Sequence, residues 1–225
     1  MGNAMLRKLG AEWLGSLLLA ATVIGSGIMA ERLANGNVAL ALLANTGATV
    51  AVLTMLILLL APVSGAHFNP AVSFVCALRR QLTLREFVCY VAVQVIGCVL
   101  GALLAHAMFD LPLWQLASHA RHGGAQWLAE IVATFGLILA AFGGRPLRDT
   151  AWMVSLWIGA AYWFTSSTSF ANPAITVARA LTDTFSGIRP SDAPGFIAAQ
   201  FAGALLALVA IRLLGISTAP TSAEA

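Results

Sequence analysis

Ser64-Gly65-Ala66-His67-Phe68-Asn69-Pro70-Ala71-Val72 and Ser167-Thr168-Ser169-Phe170-Ala171-Asn172-Pro173-Ala174-Ile175 carry one pattern twice. Each is a stretch of small residues that reaches Asn-Pro-Ala and then enters a short apolar segment, 69–79 in the first copy and 172–184 in the second. Asn is a strong helix N-cap, and Pro suits the first helical position because it needs no backbone partner there and its φ is already set. Both segments are therefore expected to be helices starting at Asn69 and Asn172. Spanning a bilayer core takes about 20 helical residues, so helices of this length enter the membrane without crossing it.

Working outward, the rest of the chain is also duplicated. Ala11-Glu12 opens an apolar span and Ala129-Glu130 opens another; Tyr90 to Ala102 (YVAVQVIGCVLGA) aligns with Phe196 to Leu208 (FIAAQFAGALLAL), matching Gln94 with Gln200 and Gly97 with Gly203. Six stretches are long enough to cross: 11–30, 38–61, 87–109, 127–143, 151–168 and 195–215. Each half, about 9–109 and 126–216, then holds three full spans and one re-entrant segment. Three is odd, so the second half enters the membrane upside down, giving an inverted repeat within a single channel domain of residues 1–225.

Composition demands the same setting. Of 225 residues, 60% are hydrophobic and only 9% charged, against roughly 25% charged in a soluble domain, and mean hydropathy is +0.87. A soluble globular protein is excluded, and the fold class is an all-α membrane protein with the lipid bilayer as its first partner. The net charge of +3 comes from scattered basic residues that form no stripe for nucleic acid. Arg7, Lys8, Arg79, Arg80, Arg85, Arg145, Arg148 and Arg212 fall on one side; Arg32, Arg121, Arg179 and Arg189 fall on the other. By the positive-inside tendency both termini are expected in the cytoplasm. The first span, preceded by Arg7 and Lys8, could be taken for a signal peptide, but Glu12 lies inside it and the pattern recurs at Glu130.

Paired half-helices have an electrostatic consequence. Two helix N-termini, each equivalent to roughly +0.5 of an elementary charge, would face a common midplane and repel cations. The loops leading into them, Pro62 to Phe68 and Ser166 to Ala171, cannot complete helix ladders, and bare carbonyls in lipid cost several kcal/mol each, so they must face protein or water. Carbonyl acceptors ending at the Asn69 and Asn172 amides would exchange hydrogen bonds with small uncharged solutes. Inverted repeats and broken helices also build secondary transporters, which is the rival reading. It would need a coupling-ion site, and Glu12 and Glu130 are the only acids within the spans.

The two Asn-Pro-Ala motifs, with the matched Glu and Gln positions, resemble the aquaporin and aquaglyceroporin superfamily over essentially the whole chain. The resemblance implies six transmembrane helices plus two half-helices, one pore per subunit and a homotetramer. Most members carry Arg directly after the second motif, where this chain has Ile175. Counting back as in family members places the remaining constriction positions at Thr49, Ala160 and Ser169, a ring with neither an aromatic side chain nor a charge, which should be wide. Arg179, four residues after Ile175, could return a charge to the outer vestibule, or pair with Asp183, or snorkel to the interface. The Asn-Pro-Ala-Ile-Thr-Val-Ala-Arg stretch also resembles a branch associated with bacterial arsenic resistance. That branch implies a bacterial inner membrane and arsenous acid as a solute beside water and glycerol-like polyols, while a wide neutral ring equally fits glycerol, urea, ammonia or methylated metalloids.

Intramembrane acids are functional suspects, so a proton relay is one reading of Glu12 and Glu130. Their matched positions favour holding the re-entrant loops by backbone N–H groups, with Gln94 and Gln200 beside them. His67 either anchors its loop or senses pH from the pore wall. His119 and His122 would bind metal only with further ligands, and Cys76, Cys89 and Cys98 have no metal-ligand spacing, so neither metal nor cofactor is expected. No nucleophile elbow, His-Glu-x-x-His stretch or phosphate loop supports an enzyme. Gly15, Gly97, Gly101 and Gly203 suit close helix contacts, and Ser217 to Ala225 is expected to be a disordered tail.

Overall fold

The computed structural model describes residues 2–216, so the tail expected at 217–225 lies outside the described residues. Eight helices and no strand are present among them: α1 (Asn3–Leu33), α2 (Val38–Ser64), α3 (Pro70–Leu78), α4 (Leu84–Met108), α5 (Gly124–Ala141), α6 (Leu147–Phe164), α7 (Pro173–Arg179) and α8 (Ala193–Leu213). Six are long and two are half-helices, in the order each half of the sequence repeats. Five of the long helices are each apolar enough to cross a membrane. The sixth, α6, has 18 residues and starts with Arg148 and Asp149 in its first turn.

Two boundaries differ from expectation for local reasons. α2 runs through Pro62 to Ser64 instead of breaking at Pro62, because Gly65 closes the helix in the left-handed conformation (φ 90°) and its N–H still reaches the Ala61 carbonyl. α7 stops at Arg179, well short of 184. The Ala180 N–H bends back to the Thr176 and Val177 carbonyls, and the Arg179 carbonyl accepts from the Ile188 N–H at 3.0 Å. The chain turns away there, and 180–188 form a loop instead of further helix.

The halves pack alike: α1 lies on α4, and α5 lies on α8, while α2 faces α6. Small residues permit both contacts. A Cβ on Gly97 would meet the Trp13 carbonyl of α1, and one on Gly203 would meet the Ile131 carbonyl of α5. Leu43, Leu59, Val88 and Leu206 are exposed along the long helices, which is stable only where the surrounding solvent is itself apolar.

Candidate functional site: two half-helices around one cavity

Asn69 and Asn172 start their helices in extended backbone and cap them. Asn69 Oδ1 accepts from the Ala71 N–H at 2.9 Å, and Asn172 Oδ1 accepts from Ala174 and Ile175 at 3.0 and 3.3 Å. Each amide then crosses to the other half. Asn69 Nδ2 donates to the Ala171 carbonyl and Asn172 Nδ2 to the Phe68 carbonyl, both at 2.8 Å. This reciprocal tie fixes the two N-termini together. It uses one N–H of each amide and leaves the second for other partners, in two residues that line the same lumen.

The loops behind them are held by carboxylates. Glu12 Oε1 accepts from Ser64 Oγ (2.7 Å) and the His67 N–H (2.9 Å), while Oε2 accepts from the Phe68 N–H (2.7 Å) and Gln94 Nε2 (2.8 Å). Glu130 repeats this with Ser167 Oγ (2.6 Å), the Phe170 and Ala171 N–H groups (2.9 Å each) and Gln200 Nε2 (2.7 Å). Both glutamates and both glutamines are fully buried. Two amides of each turn are thus drawn to a carboxylate, and a third, of Ala66 or Ser169, to the hydroxyl of Ser64 or Ser167. Left-handed backbone at Ala66, Phe68, Ser169 and Ala171 (φ 47–51°) accomplishes the turn, at a cost of about 1–3 kcal/mol per residue that the carboxylate bonds offset.

A cavity of about 190 Å³ runs between the halves. On the side of the chain termini it is lined by His67, Cys76, Phe142 and Thr150; at its middle by Asn69 and Asn172; on the opposite side by Thr49, Tyr162, Ser169, Ile175 and Arg179. Pro70, Ala71, Pro173 and Ala174 are buried beneath it and shape the helix starts. His67 both faces the lumen and is tied to α3, Nδ1 lying 3.0 Å from Ser73 Oγ and Nε2 3.4 Å from Cys76 Sγ.

Thr49, Ser169 and Ile175 line the same cavity, but Ala160 does not. It is exposed, on the α6 face shared with Trp152, Leu156 and Trp163. At 100° per residue it lies opposite Val154, Ile158 and Tyr162, the face that lines the cavity. The count assumed a fixed loop length before Asn172, and α6 is rotated relative to that assumption. Tyr162, missed from the sequence, places its hydroxyl 3.5 Å from Thr49 Oγ1. The expected ring without aromatic or charge is thus corrected: an aromatic side chain and a guanidinium reach the same cavity.

Arg179 takes neither of its alternative roles. Asp183 accepts instead from the Ser118 N–H and Oγ, both at 2.8 Å, which lowers its pKa. Arg179 is buried, donates from Nε to the Ser186 carbonyl and stacks over Phe170 at 3.4 Å. Arg121, 5.3 Å from the same ring, donates to the Gly187 carbonyl at 2.8 Å; burial pulls its pKa down to about 10. His119, also in this outer loop, is pulled below its usual value by burial and by Arg121 and Arg179.

Two oppositely oriented halves with half-helices capped against each other around a lumen define a membrane channel with re-entrant helices. Residues 2–148 match the family model described as Major intrinsic protein, and the chain belongs to that family. It is 54% identical to the aquaglyceroporin AqpS of Rhizobium meliloti over 210 residues, 92% of this chain and 90% of that one. A probable glycerol uptake facilitator protein of Thermotoga maritima is 30% identical over 59% of this chain and 62% of its own. The X-ray structure of an aquaglyceroporin from Plasmodium falciparum has the same fold, with a TM-score of 0.70 at 18% identity, covering 92% of this chain and 95% of that one. The protein is an integral membrane channel that passes small uncharged solutes passively.

Proposed function

We propose that the solutes are glycerol-sized polyols and, by the same hydrogen-bonding chemistry, neutral metalloid hydroxides such as arsenous acid, together with water. The observation that carries this reading is the two-faced lumen. Leu53, Ile57 and Ile158 line one wall, and the re-entrant loops with Asn69 and Asn172 line the other. A polyol presents C–H groups on one side and hydroxyls on the other, so it exchanges hydration for carbonyl and amide bonds while its carbon edge contacts aliphatic side chains. An ion would lose far more solvation than that wall returns.

In this reading Asn69 and Asn172 orient solute at the midplane, and Thr49, Tyr162, Ser169 and Ile175 set the width on the α7 side. Arg179 supplies a fixed positive charge there that opposes cations. Residues 1–225 form one channel unit, four copies of which assemble as a homotetramer in a bacterial inner membrane with both termini in the cytoplasm. The chain catalyses no reaction. The close identity to a protein named an aquaglyceroporin supports the solute class, and the basic residues near the termini support the orientation.

Radiolabelled glycerol uptake into proteoliposomes tests this against a carrier. A channel gives a flux linear in glycerol and indifferent to sodium and proton gradients; saturation at low glycerol or dependence on either gradient would establish alternating access instead.

A further inference from the structure

Two buried cations, Arg121 and Arg179, stand beside the α7-side mouth, and neither side chain forms a hydrogen-bonded ion pair with a carboxylate among the described residues. Nearby, Arg189 pairs with Asp192 at 3.0 Å. The Glu130 carboxylate is fully engaged by the loop and Gln200. Arg121 spends its side chain on the Gly187 and Ser167 carbonyls. Arg179 spends only Nε, on Ser186. It is 4% exposed, lines the cavity, and its two terminal nitrogens have no acceptor among the described residues. A second group points the same way: Ser169 Oγ is buried without a hydrogen-bond partner in a residue 2% exposed that lines the same cavity.

A guanidinium whose terminal N–H groups open on the lumen, beside a buried hydroxyl without a hydrogen-bond partner, offers donors to whatever occupies the mouth. The stacking of Arg179 over Phe170 fixes the plane of its donor fork in advance. Such a fork matches two oxygens of a planar oxyanion. We infer that this mouth is a binding site for a small planar oxyanion of the nitrate or carboxylate class, held by the Arg179 terminal nitrogens and the Ser169 hydroxyl. The inference deepens the channel reading and rests on it.

The bound anion does not pass. Beyond the site the lumen carries the aliphatic Ile158 and Leu53 and the neutral groups of Asn69 and Asn172, which do not replace an anion's lost hydration shell. Occupancy therefore plugs the pore, and neutral flux falls as the oxyanion rises.

Nitrate, which crosses lipid poorly, is the probe, with gluconate keeping ionic strength constant. Glycerol re-swelling of proteoliposomes should fall saturably with nitrate, each variant being compared with its own nitrate-free rate. In Arg179→Gln the half-blocking concentration should rise at least about tenfold, and in Ser169→Ala about threefold, the smaller figure matching one neutral hydrogen bond. Arg32→Gln, a surface charge on the same side, should keep the wild-type sensitivity. An unchanged half-blocking concentration in Arg179→Gln, an equal loss in Arg32→Gln, or no block in the wild type would overturn the site. Thermal melting in detergent gives a reading independent of flux: nitrate should raise the wild-type Tm and leave that of Arg179→Gln unmoved. Should glycerol flux be absent altogether, the channel reading fails, and the Tm shift still decides whether the anion site exists.

Discussion

Glu12 and Glu130 each accept four hydrogen bonds from a serine, two loop amides and a glutamine. Ser73 and Thr176 lie at matching places under Gln94 and Gln200, both at 2.9 Å. The two loops part company where they meet the lumen. In the first half the third residue after the serine is His67, contacting Cys76; in the second it is Phe170, contacting Arg179. Cys76 and Arg179 each stand seven positions after their Asn. The scaffold is thus symmetric and the lining is not. One mouth presents an imidazole beside a thiol, the other a ring beside a fixed cation, so the pore is asymmetric along its axis even though its frame is duplicated.

Breaking the shared frame should have the largest effect. Glu12→Ala and Glu130→Ala each strand two buried loop amides and a glutamine, an expected loss of about 3 kcal/mol or more. Both variants should show a much lower Tm in detergent and little channel flux, to similar extents. If one were tolerated and the other not, the two networks would not be equivalent. Ile175→Arg acts on the lining alone: a long cation beside Tyr162 and Thr49 should cut glycerol flux by about tenfold or more while water flux falls less. Equal loss of both with a lowered Tm would indicate misfolding instead of narrowing.

A smaller effect tests the rotation of α6. Tyr162→Ala should widen the mouth and raise passage of solutes larger than glycerol several-fold, whereas Ala160→Phe, on the outward face, should leave solute selectivity as it was. Altered selectivity in Ala160→Phe would restore the position that counting assigned. The smallest expected change is His67→Phe, which gives the first loop the ring of the second. It removes contacts to Ser73 and Cys76 and should cost about 1 kcal/mol, with cation exclusion retained because Arg179 is untouched. A sodium leak in that variant would place the charge barrier at the His67 mouth.

Much of this frame is legible in the sequence. The Asn-Pro pairs marked both helix starts because Asn and Pro act locally, and the matched Glu and Gln positions marked the frame because identical needs in two halves leave identical residues. Ala160 failed because which face of α6 meets the lumen depends on helix rotation and loop length. The spacing of Val154, Ile158 and Tyr162, with Trp152, Leu156 and Trp163 opposite, was the available signal. Arg179 could not be settled from spacing to Asp183, since Ser118, distant in sequence, captures that carboxylate. The crossed Asn ties were likewise invisible, each joining a side chain to a carbonyl of the other half.

The most direct test of the central claim is stopped-flow light scattering on proteoliposomes, comparing shrinkage under a sucrose gradient with re-swelling under glycerol, urea and arsenous acid. A passive pore with a two-faced lumen predicts re-swelling by the uncharged solutes at rates well above protein-free liposomes. Fast water shrinkage without any solute re-swelling would contradict it and would mean that Tyr162 and Arg179 close the α7-side mouth to everything larger than water.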